Sequence, residues 1–289
     1  EAPLLAKIQE IVARVCSDFV DDLSVISDAH ADFESFLASL EHEALPLLDV
    51  RTAEAEALDR ERIAAQETQS IVDARIHQHA LPEPVANFIQ QTWKPHLTDE
   101  LHLRGRDSEE FNKCVAALDD LVWSVLPKDQ PGDRQQLSQR IPTLVRTLRN
   151  GLAEKSLADA AAPFFEQLFE LHLGLLRGSE PVYVDPPLPP APADEKEQAL
   201  DDAFRDVIAQ LARNQWVEIL DDDTGSLRYA RLTWISPQRT SYLFTTRLGG
   251  KASVFGADEL LAGFRDGTIR LIDSEPIIDR ALTGMFQQN

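Results

Sequence analysis

Residues 181–192, PVYVDPPLPPAP, divide the sequence into two parts that have different hydrophobic periods. Six of these twelve residues are proline, a density that excludes both an α-helix and a central β-strand. We therefore predict an extended, semi-rigid linker over residues 178–194. A Pro-x-x-Pro ligand for a partner domain is an alternative that the same residues allow.

The part before the linker, residues 1–177, repeats apolar residues at the three- and four-residue steps of amphipathic helices. One such series comprises Phe164, Phe165, Leu168, Phe169, Leu171, Leu175 and Leu176. We expect that helix to end at Gly178, and we expect Pro46 to kink or end an earlier one. Five to seven helices with short polar joints predict an antiparallel all-α bundle, whose long helices also offer a surface for a homo-oligomer.

After the linker, residues 195–289 alternate apolar and polar side chains with the period of β-strands. The predicted strands cover residues 216–220, 227–236, 241–247, 251–255 and 268–272, and the predicted helices cover 200–211, 257–264 and 277–286. Five short strands in so small a region favour a closed or half-closed barrel. The fold class predicted for the whole chain is α+β, with an N-terminal helical bundle and a small C-terminal β-barrel with flanking helices.

Composition limits the possible partners. The chain has 289 residues with 28 basic and 49 acidic side chains, a net charge of −21, which disfavours nucleic acid and anionic membranes as partners. No apolar run approaches the length of a membrane span, so we expect a cytoplasmic protein. Cys16 and Cys114 are too few for a disulfide framework, and we expect both to be buried thiols in a reducing compartment.

No catalytic or cofactor-binding motif is present. The sequence lacks G-x-S-x-G, G-x-G-x-x-G and a complete phosphate loop. Asp99 and His102 have a spacing that metal sites in bundles use, but no Glu-x-x-His motif accompanies them. His172 lies on an apolar helix face and is expected to be a core or boundary residue rather than a ligand. These observations predict neither an enzyme, nor a metal site, nor a cofactor.

One charged feature interrupts the acidic sequence. Residues 228–251 contain five basic side chains and no acidic one, namely Arg228, Arg231, Arg239, Arg247 and Lys251. Residues 194–289 carry a net charge of −5, so the preceding part carries −16. Such a cationic strip could bind a phosphate-bearing ligand or an acidic protein surface, or it could protect a sheet edge from aggregation. By strand parity we expect Arg231 to face outward with Arg239 or Arg247, and Trp234 to fill the barrel.

Several segments of the C-terminal part resemble a known family. They are QWVEI at 215–219, RLTWISP at 231–237, YLFTTRLG at 242–249, RLID at 270–273 and IDRAL at 278–282. They are similar to the C-terminal region of a proteobacterial family of unknown function, which some genomes label thymidine phosphorylase. The resemblance implies that the chain is the C-terminal part of a longer protein.

The predicted barrel in turn resembles PilZ domains, which in many bacteria bind cyclic di-GMP. PilZ ligand motifs pair R-x-x-x-R with D/N-x-S-x-x-G, whereas Arg228 and Arg231 are only three apart and the second motif is missing. We therefore expect a non-enzymatic regulator or adaptor that contacts another protein in bacterial second-messenger or motility-type signalling. The alternative is a module that binds cyclic di-GMP or another phosphate ligand through the strip. An enzyme acting on nucleosides follows from the genome label alone.

Overall fold

The computed structural model describes residues 2–18, 24–130, 132–153, 160–179, 181–184, 195–220, 225–246 and 249–272. The chain forms two compact units. One, which we call the helical unit, is Leu58–Ala193, and the other, which we call the sheet unit, combines Glu1–Ala57 with Asp194–Asn289. The α+β class predicted from the sequence is confirmed. This grouping places Glu1–Ala57 with the C-terminal segment, and the predicted domain boundaries stay a prediction.

The helices have the following bounds: α1 Ala2–Asp18, α2 Ser24–Ile76, α3 Glu83–Phe88, a π-helical turn Ile89–Trp93, α4 Lys94–Arg104, α5 Glu109–Val125, α6 Asp133–Ala153, α7 Ala162–Arg177, α8 Glu195–Gln210 and α9 Ala257–Asp266. Ser108 begins α5 by accepting a hydrogen bond from the Phe111 amide at 3.2 Å. Gly178 ends α7 in the left-handed conformation, with φ of +87°, as its sequence position predicted. None of the described helices combines the length and apolarity needed to cross a bilayer.

Two features of the first helices differ from expectation. Helix α2, which is 53 residues long, does not end at Pro46, although proline removes one backbone hydrogen bond, and a kink at Pro46 stays a prediction. Cys16 is exposed, because the inward stripe of α1 runs through Ile8, Ile11 and Val15, and Cys16 lies one position beyond that stripe. The other thiol, Cys114 of α5, is half-buried, and neither cysteine forms a disulfide.

An aromatic cluster forms the centre of the helical unit. The rings of Phe88 and Phe164 stack with centroids 3.7 Å apart, which joins α3 to α7. Trp93 is fully buried and donates its indole Nε1 to the Cys114 carbonyl at 3.1 Å, so its polar atom is satisfied. Gly151 lets α6 approach this cluster, because a Cβ there would lie 3.2 Å from the Trp93 ring.

The sheet unit contains five antiparallel strands, in the order β4-β3-β2-β1-β5. The strands are β1 Trp216–Leu220, β2 Leu227–Ile235, β3 Ser241–Thr245, β4 Ser253–Gly256 and β5 Ile269–Ile272. Within the described residues β4 and β5 are the two edges and do not pair, so the sheet is not a closed barrel, and the half-closed alternative stays a prediction. The predicted strand positions agree closely with the structure, whereas the helix predicted over 277–286 lies outside the described residues.

Each face of the sheet packs against helices. On one face Val217, Leu232 and Phe244 join residues of α8 and α9 in a buried core. On the other face Trp234 and Leu243 pack against Ala55 of α2. The second contact explains why residues 1–57 belong to this unit, since Trp234 would otherwise expose a large apolar surface.

Candidate functional site

A β-bulge in β2 changes which side chains share a face. Leu232 pairs with Phe244 and Trp234 pairs with Leu243, so Thr233 is an extra residue between them. Trp234 therefore lies on the same face as Arg231, and not on the face of Leu232 as strict alternation predicted. The sequence pattern alone does not show this shift, because a bulge adds one residue without changing the residue types around it.

Arg231 faces helix α2, and this position differs from the predicted outward one. Its side chain is 20% exposed, and its Nη1 lies 4.0 Å from a carboxylate oxygen of Glu41 in α2. Arg228 lies at the other end of β2 and donates to the Lys251 carbonyl and, at 2.7 Å, to the Ser253 hydroxyl. Arg228 thereby ties β2 to the start of β4.

Arg239 serves the end of a helix. It occupies the turn between β2 and β3 with φ of +56°, and its Nη1 donates to the carbonyls of Ile208 and Leu211 at 3.5 and 3.3 Å. Ile208 lies in the last turn of α8 and Leu211 directly follows that helix, so Arg239 adds a donor where the helix ends. Burial raises the pKa of Tyr242, and a hydrogen bond from Arg239 opposes that rise.

The described members of the cationic strip therefore have separate contacts and do not line one concave site. Lys251 is exposed in the turn before β4, with φ of +44°, and Arg247 lies outside the described residues. Arg231 faces α2, Arg228 donates to β4, and Arg239 donates to the end of α8. The strip's predicted role in ligand or partner binding stays a prediction.

The helical unit contains an open apolar groove that the sequence analysis missed. It lies along α7, has a volume of about 930 Å³ and is lined by side chains of α3, α6, α7 and the segment after α7. We call it the α7 groove and define it by Pro84, Val145, Arg149, Phe165, Phe169 and His172. The signal available in the sequence was Phe169, an aromatic residue one helical turn after Phe165, at the edge of the apolar stripe.

The walls and rim of the α7 groove differ in polarity. Phe165 is buried in the wall, and the Arg149 guanidinium lies 4.8 Å from the centre of its ring. Phe169 at the rim is 61% exposed, a large apolar surface left in contact with water. Glu166 and Glu170 add carboxylates to the same rim. Such an apolar surface with a charged border is typical of an interaction site.

His172 in the α7 groove is buried, as its apolar helix face predicted, with 2% of its surface exposed. Its Nε2 lies 2.9 Å from the hydroxyl oxygen of Ser124 in α5. Burial, and secondarily the charge of Lys128, lower the pKa of His172 to about 4, so the ring is neutral near pH 7. Its Nδ1 has no hydrogen-bond partner within the described residues.

The described residues contain no group of three or more histidine, cysteine, aspartate or glutamate side chains placed to hold a metal ion. Two side chains of the kinds that bind metals do lie close together in the core of the helical unit. The Cys114 sulfur is 3.4 Å from Nε2 of His96. Two ligands alone are fewer than a structural zinc site uses.

Two family models match the chain. The model for the third domain of DUF1631, a protein family of unknown function, matches residues 54–169, and the model for the DUF1631 C-terminal tudor domain matches residues 203–272. The chain therefore carries two domains of the DUF1631 family. The predicted resemblance to a family of unknown function is confirmed, but the DUF1631 match describes a tudor domain where the sequence analysis expected a PilZ-like barrel. No curated protein and no solved structure matches the chain.

The two DUF1631 matches correspond closely to the packed cores. The third-domain match runs from the second half of α2 into α7 and ends at Phe169, on the rim of the α7 groove. The tudor-domain match begins within α8 and ends with β5. Most of the α7 groove thus belongs to the DUF1631 third domain.

Proposed function

We propose that this chain is a non-enzymatic, cytoplasmic adaptor that binds another protein through the α7 groove. The observation that carries the proposal is an apolar groove of about 930 Å³ with a phenylalanine, Phe169, 61% exposed at its rim. Leaving so large an apolar side chain in water lowers stability relative to burying it, and a docked partner removes that surface from water.

The shape of the groove favours a protein partner over a metabolite. Small-molecule sites enclose most of the ligand surface and place several polar groups around it. The α7 groove is open, and its charged side chains, Arg149, Glu166 and Glu170, are exposed ones at its border. A border of both charge signs around an apolar centre matches the usual anatomy of protein interfaces.

The contacts of the arginines also support an adaptor over a phosphate-binding module. A phosphate clamp needs guanidinium groups that converge on one anion. Arg239 instead donates to the carbonyls at the end of α8, and Arg228 donates to β4. Using either group as a clamp would cost the contact that it makes within the fold.

The experiment compares two matched variants of the full chain. Phe169→Asp places a carboxylate on the rim of the groove, and Leu103→Asp does the same at an apolar residue of α4, 72% exposed, that does not line the groove. Affinity capture from the source cells with quantitative mass spectrometry should recover a partner with the wild type and with Leu103→Asp. Phe169→Asp should lower recovery of that partner at least tenfold. Equal recovery with both variants would refute the proposal.

A further inference from the structure

Two rows of side chains form the long walls of the α7 groove. On α6, Ile141, Val145 and Arg149 line the groove at steps of four residues, which places them on one face of that helix. On α7, Phe165 and Phe169 line it with the same spacing, and the Arg149 guanidinium over the Phe165 ring brings the two rows together. At 1.5 Å per residue the α6 row is about 12 Å long, which corresponds to about two turns of a helix laid along it.

These two rows suit a helix better than an extended segment. An extended peptide binds mainly through its backbone N–H and C=O groups, which need the partners that an exposed sheet edge supplies. The walls of the groove are helices whose interior backbone groups are already hydrogen-bonded, and Val145, Phe165 and Phe169 present apolar side chains. An amphipathic helix satisfies its own backbone and presents apolar side chains at steps of three and four residues. It therefore fills this groove without leaving backbone groups unpaired.

The two walls carry opposite charges. Helix α6 contains four arginines and, within its bounds, has no acidic residue after Asp133 in its first turn. Two of these arginines, Arg146 and Arg149, are exposed in the half of α6 that borders the groove. Helix α7 instead exposes Glu166 and Glu170 at the rim. A segment that lies between the two helices therefore has cations along one edge and carboxylates along the other.

We propose that the α7 groove binds an amphipathic helix of the partner protein, with acidic side chains along its edge next to α6 and basic side chains along its edge next to α7. This inference rests on the proposed adaptor function and names the shape and charge of the partner segment. Opposite charges across an interface favour the correct arrangement, and like charges disfavour the wrong one. Because reversing the helix would exchange its two edges, the charges of the walls also determine the direction in which it lies.

The test uses three synthetic peptides of about 18 residues, a length at which an alanine-rich helix forms in water. Each peptide has one stripe of leucines and the same numbers of glutamates and lysines. In the segregated peptide all glutamates lie along one edge of the stripe and all lysines along the other, whereas in the mixed peptide each edge carries both. The third peptide is the segregated one with a central proline, which breaks the helix.

Binding to the full chain is followed by fluorescence anisotropy at low ionic strength, after circular dichroism has verified that the segregated and mixed peptides are equally helical. The segregated peptide should bind about five times more tightly than the mixed one, because each exposed ion pair contributes modestly and several act together. The proline peptide should bind at least about ten times more weakly than the segregated one, because it cannot present a continuous apolar stripe.

A variant pair of the chain tests whether the α7 wall contributes to this preference. Glu170→Lys replaces a carboxylate of that wall with a cation, so the preference for the segregated peptide should fall to about twofold or less. Glu61→Lys is the control, because Glu61 is an exposed glutamate of α2 in the helical unit, does not line the groove and gives the same change in net charge. Glu61→Lys should keep the full preference.

The outcomes separate this inference from the proposed function. An affinity for the mixed or the proline peptide equal to that for the segregated one, or an unchanged preference in Glu170→Lys, would overturn the helix inference even if Phe169→Asp abolishes partner capture. A clear preference for the segregated peptide without any effect of Phe169→Asp on capture would overturn the adaptor function alone. A wild-type dimer in sedimentation that Phe169→Asp converts to a monomer would assign the groove to a second copy of this chain and overturn the inference.

Discussion

Buried, neutral His172 should make the helical unit sensitive to mild acid. Its pKa is about 4 in the folded chain, against 6.5 for a free histidine. Between these two values the unfolded state binds a proton that the folded state does not, so the free energy of unfolding decreases as the pH falls. The slope approaches about 1.4 kcal/mol per pH unit, and the loss between pH 7 and pH 4.5 is about 2 kcal/mol. Above pH 6.5 this contribution vanishes.

The assay compares the wild type with His172→Gln, whose side-chain amide can still donate to Ser124 but does not titrate. Urea unfolding is followed through the indole NMR signals of Trp93 and Trp123, which both belong to the helical unit. Between pH 7 and pH 4.5 the wild type should lose about 2 kcal/mol more than the variant. Parallel pH curves for the two proteins, or an NMR titration of His172 with a pKa near 6.5, would refute this reasoning.

Three further predictions concern packing, capping and thiol exposure. Gly263→Ala would place a Cβ 2.6 Å from the buried Ile269 side chain, and urea unfolding of the sheet unit should show a loss of about 1–3 kcal/mol. Arg239→Gln removes the guanidinium donor to the carbonyls of Ile208 and Leu211 at the end of α8, and the same measurement should show a loss of about 1 kcal/mol. Exposed Cys16 should react with a thiol reagent much faster than half-buried Cys114, and equal rates would contradict their placement.

The sequence predicted the strands well because their signals are local. Alternating apolar residues bounded by glycine and proline set the ends of β1, β2 and β5 to within about two residues. The α+β class followed from the change in period at the proline-rich segment. Helix α7 was also predicted from its period, with its end fixed by Gly178.

What the sequence did not predict depends on contacts distant in the chain. The bulge at Thr233 and the packing of Ala55 on Trp234 are set by which strands and helices meet. Helix α2 tolerates Pro46 because the loss of one hydrogen bond is small against the packing of a 53-residue helix.

The candidate site was predicted least well. The arginines were expected to act together because they are close in sequence, yet Arg228, Arg231 and Arg239 contact three different elements. The α7 groove needs α3, α6 and α7 to be placed side by side, and no single segment carries that information. His172 was expected to be a core or boundary residue, and it is buried, but its contact with Ser124 of a different helix was not predicted.

The most direct test of the adaptor function is photo-crosslinking in the source cells. A photoreactive phenylalanine analogue, p-benzoylphenylalanine, is incorporated at Phe169 on the rim of the α7 groove or, as the control, at exposed Leu103. Our account predicts a covalent adduct of one discrete mass with the analogue at position 169 and no such adduct at position 103. The absence of an adduct at position 169, or the same adducts at both positions, would contradict it.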